Sequence, residues 1–252
     1  METRRHYMQL SILIPTYLRN HLLEIGLQSI KDQNITVPYE VIVLNDAQPD
    51  ESENICNNFN AQYIFTGQRN TEQLKWRCPG FAINIGIKKA LGSLILITSP
   101  EIHYLTPNCL NEMIELALSN TKSLTIPEVG YDDIKNTFFN NLDLNRCNSL
   151  NIEYPFCMLI HKRELLDIGG YDETFTGFAY DDADIIKCLL ANGCIYQKAL
   201  KHKILHLFHG ERTNTSRIGL LDKAQALEHN KNLYLKSLNI IKRNTNKEWG
   251  KL

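Results

Sequence analysis

Three carboxylates, Asp181, Asp182 and Asp184, fall within four positions, where a polar glycine-bearing turn gives way to an apolar run at helical spacing (Ile185, Ile186, Leu189, Leu190). Acids at a helix entrance either cap the helix and offset its dipole, or take protons from a substrate. Neighbouring carboxylates disfavour joint ionisation, which pushes one of them toward the range of a working general base. A second group is the His-x-x-His of His206 and His209. Two imidazoles at that spacing face one ion if the backbone turns between them, and diverge if it stays extended. A third is the single acid of the turn Ser99-Pro100-Glu101.

The elements that must position these groups alternate along the first half of the chain. Gln9 to Pro15, Tyr39 to Leu44, Ala61 to Phe65, Leu94 to Ile97 and Lys122 to Pro127 are apolar runs of strand length. Between them lie helical stretches: from a cap at Asn20 to Ile30, from Glu51 to Phe59, from Pro79 to Ala90, and from Thr106-Pro107 to Leu118. This rhythm predicts an α/β fold, a mostly parallel mixed sheet with helices on both faces. Ligands of such sheets sit at the carboxyl ends of the strands. Here those ends read Pro15-Thr16-Tyr17, Asn45-Asp46 and Ser99-Pro100-Glu101. Residues 128–153 are polar and asparagine-rich, a long loop over the site. Asn192-Gly193 stops the helix that the acids open.

Composition removes several classes. A formal net charge of −1 gives no global case for nucleic-acid binding. No apolar run reaches membrane-spanning length, and the first residues lack the apolar core of a signal peptide. Seven cysteines without a pairing framework fit reduced thiols and a cytoplasmic setting. From Leu220 onward, seven Lys or Arg face three acids. This tail either lies on the anionic inner face of a membrane, or packs across the sheet or against a second subunit; the second is favoured, because Trp249 is the only aromatic anchor near its end.

In order along the chain, SILIPTYLRN, VIVLNDAQPD, WRCPGFAINIGIKKALG and GGYDETFTGFAYDDAD resemble segments of glycosyltransferase family 2, inverting nucleotide-sugar enzymes of the GT-A fold. The last segment is also similar to a C-terminal motif of the β-1,4-galactosyltransferases. The resemblance spans roughly residues 8 to 212. It implies a single catalytic domain with a donor-binding half (1–127), an acceptor-binding and catalytic half (128–219) and a helical tail (220–252). Two positions depart from the family. Ser99-Pro100-Glu101 stands where an Asp-x-Asp metal motif is expected, and Asn45-Asp46 replaces a pair of acids.

The resemblance also implies roles. Asp182 takes the place of the general base and Asp181 that of an acceptor-sugar ligand, leaving Asp184 structural or solvated. Pro15 and Tyr17 flank the nucleobase and Asp46 accepts a hydrogen bond from it, which selects a uracil-type base and hence a UDP-sugar or dTDP-sugar donor. Thr16, Arg19, Arg77 and Ser99 complete the donor site; Arg212 and Arg217 either close over the diphosphate or stay solvated. Apart from the resemblance, Trp76 and Phe178 either offer faces for a sugar or, as aromatics more often do, pack in the core. Glu101, His206 and His209 form a one-carboxylate, two-imidazole site for a divalent metal, suited to Mn²⁺, with Mg²⁺ the alternative; His209 is the stronger of the two imidazoles, and His206 is otherwise a packed strand residue. The expected reaction moves a hexose or N-acetylhexosamine to a glycan or other hydroxyl acceptor. The rivals are a silent nucleotide-sugar-binding module and a nucleotidyltransferase; the absence of glycine from PTYLRN weighs against the latter.

Overall fold

The computed structural model describes residues 8–67, 78–132, 139–140, 148–149, 157–177, 179–209 and 223–252. Strands β1 (Leu10–Thr16), β2 (Tyr39–Asn45), β3 (Gln62–Phe65) and β4 (Leu94–Ile97) alternate with helices α1 (Asn20–Lys31), α2 (Ser52–Asn58) and α3 (Gly80–Lys89). After them come β5 (Ile102–Tyr104), α4 (Cys109–Ser119), β6 (Ser123–Tyr131), β7 (Asn148–Ser149) and β8 (Met158–His161). The chain continues through α5 (Lys162–Ile168), α6 (Asp181–Ala191), β9 (Ile195–His206) and α7 (Lys223–Lys236).

One mixed sheet has the order β3-β2-β1-β4-β8-β6-β9-β5, with β7 on β6. Its first four strands are parallel. Beyond β4, β8 runs antiparallel to both β4 and β6, while β9 runs parallel to β6. The order reverses between β1 and β4, which opens a crevice at their carboxyl ends.

The central strands are buried on both faces and so read as unbroken apolar runs. Leu10, Ile12 and Ile14 of β1 and Leu94 and Leu96 of β4 pack with α1, α2 and α4. Leu13, Ile95 and Ile97 point the other way, onto α3, α5 and α6. Helices thus cover both faces, as expected.

Local details differ from the sequence expectation. Asn20 does not cap α1: Arg19 is the N-cap, and the Asn20 carboxamide accepts from Ser52 Oγ at 2.7 Å. Helix α4 begins at Cys109 instead of Thr106, because Thr106 is held by neighbours: its hydroxyl meets His202 Nδ1 at 2.7 Å and its carbonyl accepts from Gln33 Nε2. Strand β6 runs on to Tyr131, into the expected loop, because its pairing with β9 continues until Tyr131 lies opposite His206. The six described cysteines are buried and unbridged, in line with the expected thiols.

Candidate active site

The crevice floor is built by strand ends. Thr16 pairs with Asn45 in register, and Asp46 N–H donates to the Thr16 carbonyl at 3.0 Å. The Asn45 carboxamide donates to the Gln48 carbonyl, Asp50 Oδ1 and Tyr63 Oη, and accepts from Ala47 N–H. An amide both donates and accepts, which a carboxylate cannot do; Asn45 shapes the turn while Asp46 remains the acid of the floor. Asp46 is fully buried and accepts from Thr66 Oγ1 at 3.3 Å. The hydroxyls of Thr16 and Ser99, at the ends of β1 and β4, are buried without a hydrogen-bond partner among the described residues. Orphaned hydroxyls are costly in a folded chain, and a polar ligand in the crevice would satisfy them.

Three elements meet at Glu101. Helix α1 comes close to its turn because residue 26 is glycine: a Cβ there would lie 2.9 Å from the Pro100 carbonyl oxygen. Ser29 Oγ accepts from Tyr104 N–H at 2.6 Å, fastening α1 to β5. Arg19, at the head of α1, places Nε 2.7 Å from Glu101 Oε1 and donates from Nη1 to the His209 carbonyl at 3.1 Å. On the other side β5 pairs with β9, and Leu207 N–H donates to the Glu101 carbonyl. Strand β9 ends at His206, so the three residues to His209 are not extended strand; the two rings lie 5.2 Å apart. His209 Nε2 is 3.9 Å from Glu101 Oε1, and His206 stacks on Tyr131 at 4.7 Å. Burial pushes the Glu101 carboxyl up, but Arg19, then His209 and His206, pull it the other way, and the balance holds it below the usual value. Glu101, His206 and His209 are therefore neighbours, yet the group in contact with the carboxylate is a guanidinium. Among the described residues no group of three or more His, Cys, Asp or Glu side chains is placed to hold a metal ion.

The acids at the head of α6 have a different setting. Tyr180 is the N-cap, so Asp181 and Asp182 are the first helical residues instead of caps, where the helix dipole favours negative charge. The chain enters through two consecutive left-handed non-glycine residues, Ala179 and Tyr180, both at φ 70°. Such strain persists only where the surroundings impose it. Asp181 is buried and Asp182 half-buried. Tyr171 is sealed in the core, and burial first, then Asp182 and Asp181, push its hydroxyl well above the usual value.

The loop that leads to this entrance is held by a glycine pair legible as a turn, Gly169-Gly170, and by asparagines that the sequence did not single out. Asn84 of α3 donates to the Tyr171 carbonyl at 2.9 Å and accepts from its N–H at 2.8 Å. Gly169 and Gly170 sit at φ 82° and 71°; a Cβ on the second would strike Asn84 Oδ1 and the Trp249 ring. Asn230 of α7 donates to the carbonyls of Thr176 and Ala179 and accepts from Thr176 N–H. Asn244 donates to the carbonyls of Gly169 and Tyr171. Asp184 is structural, as one alternative had it, and not solvated: Arg243 grips both its oxygens at 2.7 Å and Lys187 adds a third contact at 2.8 Å. Trp249 packs on the core beside Lys88. The tail thus packs against the loop that carries the acids, and the structure gives no support to membrane contact; no described helix is long and apolar enough to cross a membrane. The signals in the sequence were the glycine pair, Gly169-Gly170, and an asparagine, Asn84, among apolar helical neighbours.

Pro15 and Tyr17 lie half-buried at the rim of β1. Arg77, Trp76, Phe178, Arg212 and Arg217 lie outside the described residues.

Sheet order, crevice and acid-headed helix together define a GT-A fold. Residues 11–186 match the family described as "Glycosyl transferase family 2", and the chain belongs to that family. The fold is similar to that of a mannosyltransferase from Pyrobaculum calidifontis in complex with GDP-Man and Mn²⁺ (TM-score 0.58, 16% identity, 90% of this chain and 64% of that one). It is also similar to GalNAc-T7 with UDP, GalNAc and Mn²⁺ (0.63, 12%, 92% and 51%) and to S. aureus TarS (0.60, 15%, 95% and 45%). This chain thus spans 45% to 64% of the length of these three proteins. No curated protein matches its sequence.

Proposed function

We propose that this chain transfers a hexose or N-acetylhexosamine from a UDP-sugar to a hydroxyl of a glycan or other acceptor, with inversion, in a single displacement. Asp182 takes the acceptor proton and Asp181 orients the acceptor. Residues 1–127 hold the donor and residues 128–219 the acceptor, while the tail from 220 holds the catalytic loop. The donor lies across the carboxyl ends of β1, β2 and β4. Pro15 and Tyr17 flank its base, Asp46 accepts from the base, and the Thr16 and Ser99 hydroxyls meet its polar groups. The donor class draws support from similar folds that carry UDP or GDP-Man; the choice of UDP rests on Asp46 as an acceptor for a uracil N–H.

The observation that carries this reading is the entrance of α6. Two acids open a helix through strained backbone, clamped from α3, α7 and the tail. A cap needs no such clamp, whereas a base must be held within hydrogen-bond reach of the proton that it takes. The test is nucleotide release from UDP-glucose, UDP-galactose and their N-acetyl forms, with GDP-mannose as the comparison donor. Asp182→Asn should lower release by about 100-fold or more, the contribution of a positioned base. A wild-type rate in Asp182→Asn, or no binding of any nucleotide sugar, sinks the reading.

A further inference from the structure

We infer that Arg19, paired with Glu101, is the cation that receives the leaving diphosphate where a divalent ion would otherwise stand, so that this chain binds its nucleotide without a metal. The inference rests on the reading of the crevice as a nucleotide-sugar site and adds how the charge of the leaving group is met.

The geometry is built for it. Leu18, at φ 53°, turns the chain at the end of β1, and the Arg19 carbonyl then accepts from Leu22 and Leu23 N–H to start α1. The Arg19 backbone is therefore fixed, and contacts with Glu101 Oε1 and the His209 carbonyl help aim its guanidinium. It lies at the same strand ends as the orphaned hydroxyls of Thr16 and Ser99. A guanidinium offers planar, divergent N–H groups that match phosphate oxygens.

Charge balance points the same way. Glu101 is the only carboxylate on its turn, and one guanidinium neutralises it, as a divalent ion would neutralise two acids. A divalent ion bound to Glu101 would be repelled by Arg19 at contact distance and would have to displace it. Among the described residues Glu101, His206 and His209 form no metal-holding group, and the carboxylate already has a cation in contact. In the transfer itself, the acceptor oxygen bonds to the anomeric carbon and gives its proton to Asp182. The bond from that carbon to the diphosphate oxygen breaks, and its electron pair leaves with the nucleoside diphosphate. The new negative charge develops beside Arg19.

The experiment measures UDP, GDP, CDP and dTDP binding by calorimetry, with EDTA and with Mn²⁺, and follows Mn²⁺ binding by electron paramagnetic resonance. The wild type should bind its nucleotide in EDTA within about threefold of its affinity in Mn²⁺, and Arg19→Gln should weaken it by about tenfold or more in both. Arg19→Lys should retain part of the affinity, and it reads the same arm if Arg19→Gln does not fold. Arg19→Ala, which strips Glu101 of its cation, should take up Mn²⁺ more tightly than the wild type. Binding that appears only with Mn²⁺, or an affinity unchanged by loss of Arg19, overturns the inference and leaves the nucleotide-sugar reading intact. If none of the four nucleotides binds under either condition, that reading falls and takes the inference with it.

Discussion

Two carboxylate–arginine pairs of the same length, 2.7 Å, sit in this molecule. Asp184 and Arg243 are sealed, with side chains 2% and 3% exposed. Glu101 is nearly as buried at 8%, but its partner Arg19 is 22% exposed at the strand ends. The first pair has no face left for a ligand and serves to tie the tail to α6. The second lies nearer solvent, where the proposed diphosphate would reach it. Equal bond lengths thus conceal different uses, and the exposure of the arginine separates them.

That contrast is broken most forcefully at the sealed pair. Arg243→Ala leaves Asp184 a buried charge whose one remaining described cation is Lys187, and should cost about 3–5 kcal/mol in urea unfolding. A loss below about 1 kcal/mol would mean that the tail is dispensable. Asn84→Ala orphans the N–H of Tyr171, whose carbonyl keeps Asn244, and should cost about 1–3 kcal/mol. Arg19→Gln should cost less, about 1 kcal/mol, since the half-buried guanidinium sits where its removal lets water reach the Glu101 carboxylate. A stability loss equal to that of Arg243→Ala would erase the distinction between the pairs.

Acid titration gives the smallest effect. The Glu101 carboxyl is held below its usual value of 4.5, so near that pH the folded chain binds fewer protons than the unfolded one. Its contribution is present above the unfolded value and is lost as pH falls through the lower folded value. The wild type should lose its advantage over Glu101→Gln below about pH 4.5, and equal slopes there would show that Arg19 does not hold the ionised form.

The sequence carried the parts of the fold that are buried locally. Strands β1, β2 and β4 are apolar on both faces, and Asn192-Gly193 marked the end of α6. Strand β5 was invisible because three residues carry no period and its existence depends on pairing with β9. The site was legible as residue types, in Asp46, Glu101, Asp181 and Asp182. Its partners were not: Arg19 meets Glu101, and Arg243 meets Asp184, across long stretches of chain that no spacing rule connects. The clamp on the acidic loop was hidden for the same reason, since Asn230 and Asn244 are ordinary polar residues until the tail folds back.

The central claim divides labour between the two regions: Asp182 performs chemistry and Arg19 receives the diphosphate. One parallel measurement tests it, the rate of nucleotide release and the UDP affinity of Asp182→Asn and Arg19→Gln, both in EDTA. The account predicts that Asp182→Asn loses its rate and keeps UDP affinity within about threefold, while Arg19→Gln loses affinity by about tenfold or more. If Asp182→Asn keeps its rate, or Arg19→Gln binds UDP as tightly as the wild type, the division is contradicted.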